Sequence, residues 1–132
     1  MNKRLFEAAK AVNKNSYAIF SNFSVSAAIE LNDSRIYTGV NIENSSYPLS
    51  LCAERTCLFK AYSEGIRKDD IKELLIYHPG DGSVPYPCGA CRQVMSDLMN
   101  SDAKVTVAND TTFEEYTVGD LLPHSFTPES LK

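Results

Sequence analysis

The chain has 132 residues, 43% hydrophobic and 23% charged, enough for one folded domain with a real core and the wrong balance for disorder. Its 17 acidic residues outnumber 13 basic ones, for a net charge of -4, which argues against a nucleic-acid-binding face and suits a small neutral ligand better. No apolar run is long enough to cross a bilayer and Met1 to Glu7 lacks the core of a signal peptide, so a cytoplasmic location with reduced thiols is expected.

Leu5, Ala8, Ala9 and Val12 recur at helical spacing, which predicts a helix from Leu5 to Asn13. Ser24–Glu30 and Arg35–Ile42 are rich in Val, Ile, Thr and Tyr, and Asn32-Asp33-Ser34 between them marks a hairpin turn. Cys52 to Glu64 reads as a helix with Gly65 as its C-cap. Ile71–Tyr77 is a strand that ends in the loop His78-Pro79-Gly80-Asp81-Gly82. A helix from Cys88 to Met99 follows, then strands at Ala103–Ala108 and Phe113–Val118 and a helical turn at Gly119–Leu122 before Pro123. Helices between the later strands imply parallel crossovers, so the expected class is α/β with a mixed sheet, in one domain covering residues 1–132.

The chemistry is concentrated in Cys52-Ala53-Glu54 and Pro87-Cys88-Gly89-Ala90-Cys91. Cysteines three apart at a helix start share a face, so Cys88 and Cys91 can bind one metal ion, and Cys52 stands at another helix start. First-turn N–H groups favour thiolate there. Cys57 lies five residues beyond Cys52, which rotates it about 140° past a full turn, so it reads as a buried core thiol. Three protein ligands leave a fourth zinc position open, as in catalytic rather than structural sites. Glu54, two residues from a ligand, can then carry protons without holding the metal. Arg55 and the helix dipoles can offset part of the charge of three thiolates. Taken singly these residues have plainer readings: a redox pair for Cys-x-x-Cys, a solvated carboxylate for Glu54, a surface cation for Arg55. His78 and His124, in loop contexts, read as capping or hydrogen-bonding groups rather than ligands.

Over nearly its whole length the sequence resembles the small homotetrameric, zinc-dependent cytidine deaminases. The resemblance rests on Cys52-Ala53-Glu54-Arg55-Thr56, on Pro87-Cys88-Gly89-Ala90-Cys91-Arg92-Gln93 and on Gly39-Val40-Asn41-Ile42-Glu43-Asn44-Ser45-Ser46-Tyr47. Leu121-Leu122-Pro123 followed by Phe126 adds to it. It implies a three-layer α-β-α sandwich around a mixed five-stranded sheet, and one Zn²⁺ per subunit on Cys52, Cys88 and Cys91. The implied reaction is hydrolysis of cytidine and 2′-deoxycytidine to uridine and 2′-deoxyuridine with release of ammonia, in pyrimidine salvage. Zinc activates the water that attacks C4, and Glu54 shuttles protons to N3 and to the leaving group.

By the same resemblance Asn41 and Glu43, alternating at a strand end, hydrogen-bond the ribose, and Phe23 lies against the pyrimidine beside Ala53. Tyr47 and Phe126 complete the pocket of a neighbouring subunit in a homotetramer, while Arg55 and Gln93 support the ligand sulfurs. The family commonly has Ala-Pro-Tyr-Ser where this chain reads Ala18-Ile19-Phe20-Ser21, Val-Gly-Ala where it reads Val25-Ser26-Ala27, and glycine at His124. None of these departures touches the ligands or Glu54.

Three rivals stand beside this reading. A deaminase of a cytosine-bearing antibiotic keeps the chemistry but does not need Asn41, Glu43 and Asn44 to receive a ribose. A nucleic-acid base deaminase needs a basic channel, which the acidic balance opposes. A zinc-stabilised binding module needs a fourth protein ligand, which Cys57 or His78 would have to supply.

Overall fold

The computed structural model describes residues 1–131. Among them the elements run α1 (Lys3–Val12), β1 (Ser26–Leu31), β2 (Ile36–Val40), α2 (Ala53–Ser63), β3 (Ile71–Tyr77), α3 (Gly89–Leu98), β4 (Lys104–Ala108), β5 (Phe113–Thr117) and α4 (Val118–Leu121). The five strands form one sheet in the order β2-β1-β3-β4-β5. Only β3 and β4 pair in parallel, bridged by α3, and the other neighbours are antiparallel. β2 and β3 both run against β1, so α2 also closes a parallel crossover, one that skips over β1.

The alternation of side chains along β1 and β3 builds two cores on opposite faces. Ala27, Ile29, Leu31, Leu74 and Ile76 meet Leu58 and Ala61 of α2 and Met95 of α3. Ala28, Leu75 and Tyr77 face the other way, against Leu5 and Ala9 of α1. Helices on both faces of a mixed sheet are the three layers that the family resemblance implies. Each buried Leu or Ile of these layers contributes about 2 kcal/mol.

Local signals set the ends. The Asn2 side chain accepts from the Leu5 N–H at 3.1 Å and caps α1. Gly65, at φ +95°, closes α2 as expected, its N–H donating to the Tyr62 carbonyl while Ile66 N–H donates to Ala61. The second hairpin strand is shorter than the sequence pattern predicts. After Val40 the chain leaves β1, and Ile42 pairs instead with Tyr17 and Leu51 in isolated bridges. That detour carries Asn41 and Glu43 off the sheet edge.

Ser26, one of the departures from the family pattern, is buried; its hydroxyl donates to the Ala9 carbonyl at 2.6 Å and accepts from Asn13 Nδ2 at 3.1 Å, tying the end of α1 to β1. His124, standing where glycine is frequent, adopts φ 54°.

Gly39 fixes how closely α2 lies on β2. A Cβ built there would stand 2.5 Å from Cys57 N and 2.9 Å from both Ala53 O and Cys57 Cα, all backbone atoms that cannot step aside alone. Gly39→Ala must therefore lever α2, with Glu54 on its first turn, away from the sheet. The expected result is a loss of about 3 kcal/mol in urea denaturation together with weaker zinc binding. A variant of unchanged stability would contradict this packing.

Candidate functional site

Two helix starts converge beneath a cavity of about 270 Å³. Cys52 is the N-cap of α2 and Cys88 the N-cap of α3, with Cys91 one turn into α3. Their backbone carbonyls open the helices, accepting from Thr56 and Arg92 N–H groups, while the unpaired first-turn N–H groups point toward the sulfurs' end. The three sulfurs all lie within 4.8 Å of one another, and Cys52 and Cys88 Sγ are 3.8 Å apart. Thiolates sharing a tetrahedral zinc at about 2.3 Å stand about 3.8 Å from each other, so the spacing suits that ion.

Charge makes the same point. Hydrogen bonding from Cys91, with help from Arg55 and Cys88, holds the Cys52 thiol down at about 5. Its hydrogen bond to Cys52, then burial and the charge of Glu54, push Cys91 far up. Protein groups alone stabilise one thiolate here and oppose a second; a divalent cation removes the opposition. Arg55 Nη2 donates to Cys52 Sγ at 3.4 Å, while its buried Nε has no protein partner. No fourth ligand joins the cluster among the described residues. Cys57 is fully buried on the far side of α2, where its thiol donates to the Tyr37 carbonyl at 3.3 Å and burial pushes it up to about 12. His78 is engaged elsewhere, at the Ser24 carbonyl.

The cavity gathers Phe23, Asn41, Glu43, Ala53 and Glu54 above Cys52 and Cys88. Glu54 is 4% exposed, and burial is the main cause that raises its carboxyl to about 7. At the other end, Asn41 Nδ2 donates to the Phe23 carbonyl at 2.8 Å, and its Oδ1 accepts from Val25 N–H at 3.1 Å and from Ser16 Oγ. Glu43 accepts from Phe20 N–H at 2.8 Å, from Ser21 N–H at 3.0 Å and from the Ser21 hydroxyl. That hydroxyl and those N–H groups hold Glu43 below the usual carboxylate range, so toward a ligand it is purely an acceptor.

Cys91 and Arg55 lie beside the cavity rather than on its lining, and Tyr47, Phe126 and Gln93, also named from the sequence, lie outside it in the single chain. Tyr47, 71% exposed, meets Phe20 edge-on at 5.7 Å. Phe126 is also exposed, and its carbonyl accepts from Gln93 Nε2 at 2.8 Å, which occupies that amide. Ser21, Val25, Ile76, Pro85 and Tyr86 line the cavity without having been picked out. Of these Ser21 and Val25 carried a sequence signal, their places in the segments that flank Phe23. Tyr86 is held by a hydrogen bond from its hydroxyl to Glu114 on β5, at 2.7 Å.

Residues 1–108 match the family described as cytidine and deoxycytidylate deaminase zinc-binding region. The chain is 44% identical to the cytidine deaminase of Halalkalibacterium halodurans over 128 residues, which cover 96% of this chain and 95% of that one. It is 42% identical to that of Sporosarcina psychrophila over 130 residues, 98% and 93% of the two chains. The crystal structure of cytidine deaminase from Burkholderia pseudomallei superposes with a TM-score of 0.90 at 41% identity, covering 96% of this chain and 99% of that one. The chain belongs to the zinc-binding cytidine and deoxycytidylate deaminase family.

Proposed function

We propose that the chain hydrolyses cytidine and 2′-deoxycytidine to uridine and 2′-deoxyuridine, releasing ammonia, as a step of pyrimidine salvage in the cytoplasm. The observation that carries this reading is a cavity with Cys52, Cys88 and the buried Glu54 carboxyl at its floor, Cys91 clustered with the other two thiols, and Asn41 and Glu43 at its mouth. Cys52, Cys88 and Cys91 would hold a zinc ion, whose Lewis acidity would make a water easier to ionise near neutral pH. Glu54, at about 7, is poised to take a proton from the attacking water and give it to N3, and then to pass the proton of the new C4 hydroxyl to the amino nitrogen, so that the C4–N bond breaks and ammonia leaves. Burial keeps competing water from that carboxyl. Glu43 and Asn41 hydrogen-bond the ribose hydroxyls, Asn41 while also tying the rim to Phe23 and Val25, and Phe23 and Ala53 bound the base. Arg55 balances part of the sulfur charge.

The 132 residues act as one domain and assemble as a homotetramer. Tyr17, Ile19, Phe20, Ile42, Tyr47 and Leu49 are all exposed apolar groups around the bridged segment and Phe20–Tyr47 contact, a patch that a second copy would cover. In such an assembly Tyr47 and Phe126 would close a neighbour's cavity. Among the described residues no helix is long and apolar enough to cross a membrane.

The test is a comparison of substrates with the zinc-loaded chain. Loss of cytidine ultraviolet absorbance with one ammonia released per nucleoside is expected, and free cytosine should react at least about 10²-fold less efficiently because it makes no bond to Glu43. Preference for blasticidin S, or for cytosine in an oligonucleotide, would replace the nucleoside reading.

A further inference from the structure

Phe23 has no helix or strand of its own to hold it. It follows Asn22, whose backbone is left-handed at φ 56°, and its ring is 45% exposed along the cavity. Asn41 holds its carbonyl, but that bond leaves the side chain free to turn. The ring is fixed by His78, the first residue beyond β3. The two rings stack with centroids 3.9 Å apart and planes 17° from parallel. His78 Nδ1 lies 2.6 Å from the Ser24 carbonyl oxygen. A carbonyl only accepts, so Nδ1 carries the proton and this bond sets the plane of the imidazole. The His78 backbone N–H donates to the Ala108 carbonyl at 3.2 Å, which roots the ring at the end of the parallel β3–β4 pair.

We propose that His78 is a positioning residue for nucleoside binding, clamping Phe23 flat as the wall on which the pyrimidine rests. His78 does not itself line the cavity, so it acts through Phe23. The proposal rests on the reading of Phe23 as the wall facing the base. With the clamp in place the ring is ordered before the nucleoside arrives; without it, binding must do the ordering. The effect belongs in substrate affinity and not in the proton transfers at Glu54.

Three variants test it. His78→Ala is expected to raise KM for cytidine about 5- to 10-fold while kcat falls less than about 2-fold. His78→Phe keeps a stacking face and should restore KM to within about 2-fold of the parent. His78→Asn keeps a donor for Ser24 but no ring, and should not restore it. An unchanged KM in His78→Ala, or rescue by Asn as good as by Phe, would overturn the clamp. Backbone amide exchange gives a readout free of any substrate: Phe23 and Val25 amides should exchange faster in His78→Ala at a matched margin of stability. If the parent turned over no cytidine, the proposed function would fall, yet unaltered exchange in His78→Ala would still be needed to overturn the clamp, and faster exchange would uphold it.

Discussion

Glu54→Gln should lower kcat for cytidine by about 10³-fold while one zinc per chain remains bound. The amide has nearly the shape of the carboxylate but cannot take a proton from water or deliver one to N3 and the leaving nitrogen. It is not among the three sulfur ligands, so the metal content measured after dialysis should match the parent. Near-parental activity would remove Glu54 from the chemistry, and loss of zinc would make it a ligand.

The same substitution should stabilise the metal-free chain at alkaline pH. Burial raises the folded-state value of Glu54 to about 7, above the ordinary 4.5, so between those values the folded chain holds a proton that the unfolded chain has released. Stability from this group is therefore greatest below pH 4.5, falls as pH rises toward 7, and is lowest above it. The full penalty is about 3 kcal/mol at most. Urea denaturation of the metal-free proteins should show Glu54→Gln ahead of the parent at pH 8, with the gap closing toward pH 4.5. An equal gap at both values would contradict the ionisation of a buried carboxyl.

The second large effect is expected at the thiols. Cys88→Ser should abolish both zinc retention and turnover, because a hydroxyl remains protonated where a thiolate is needed and two sulfurs remain. Cys88 is exposed, so the fold of the metal-free chain should hardly change. Cys91→Ala should lose zinc and also cost about 2 kcal/mol in the metal-free chain, since Cys91 is fully buried in the core of α3. Cys57→Ala provides the contrast: a similar loss of stability with zinc retained. Zinc content by atomic absorption, beside denaturation midpoints, checks all three. One zinc per chain in Cys88→Ser, or none in Cys57→Ala, would mean a different ligand set.

What was legible in the sequence follows from the range of each interaction. Cys88 with Cys91, and Cys52 with Glu54, are placed by spacing within a single helix turn, and the five-residue offset of Cys57 turns it away for the same local reason. The strands were readable from short β-rich or apolar runs bounded by turn signals and helices, while the division of β1 and β3 side chains between two cores appears only in the fold. Contacts made across the fold left little trace. Nothing adjacent to Gly39 announces that α2 passes within 2.5 Å of where its Cβ would be. Ser21 becomes the partner of Glu43 only because Ile42 leaves the sheet to bridge Tyr17 and Leu51, which also ends β2 early. The sequence shows His78 as a loop hydrogen-bonder, which it is, but the stack on Phe23 joins residues 55 positions apart. Tyr47 and Phe126 carry no local signal for a cavity, and in the single chain they face outward.

Zinc titration into the metal-free chain tests the central claim most directly, with cytidine turnover and ammonia release followed at each step. Activity should rise in proportion to added zinc, reach its maximum at one ion per chain, and fall away again under a chelator. Full turnover without metal, or a chain holding one zinc on its cysteines that leaves cytidine untouched, would contradict it.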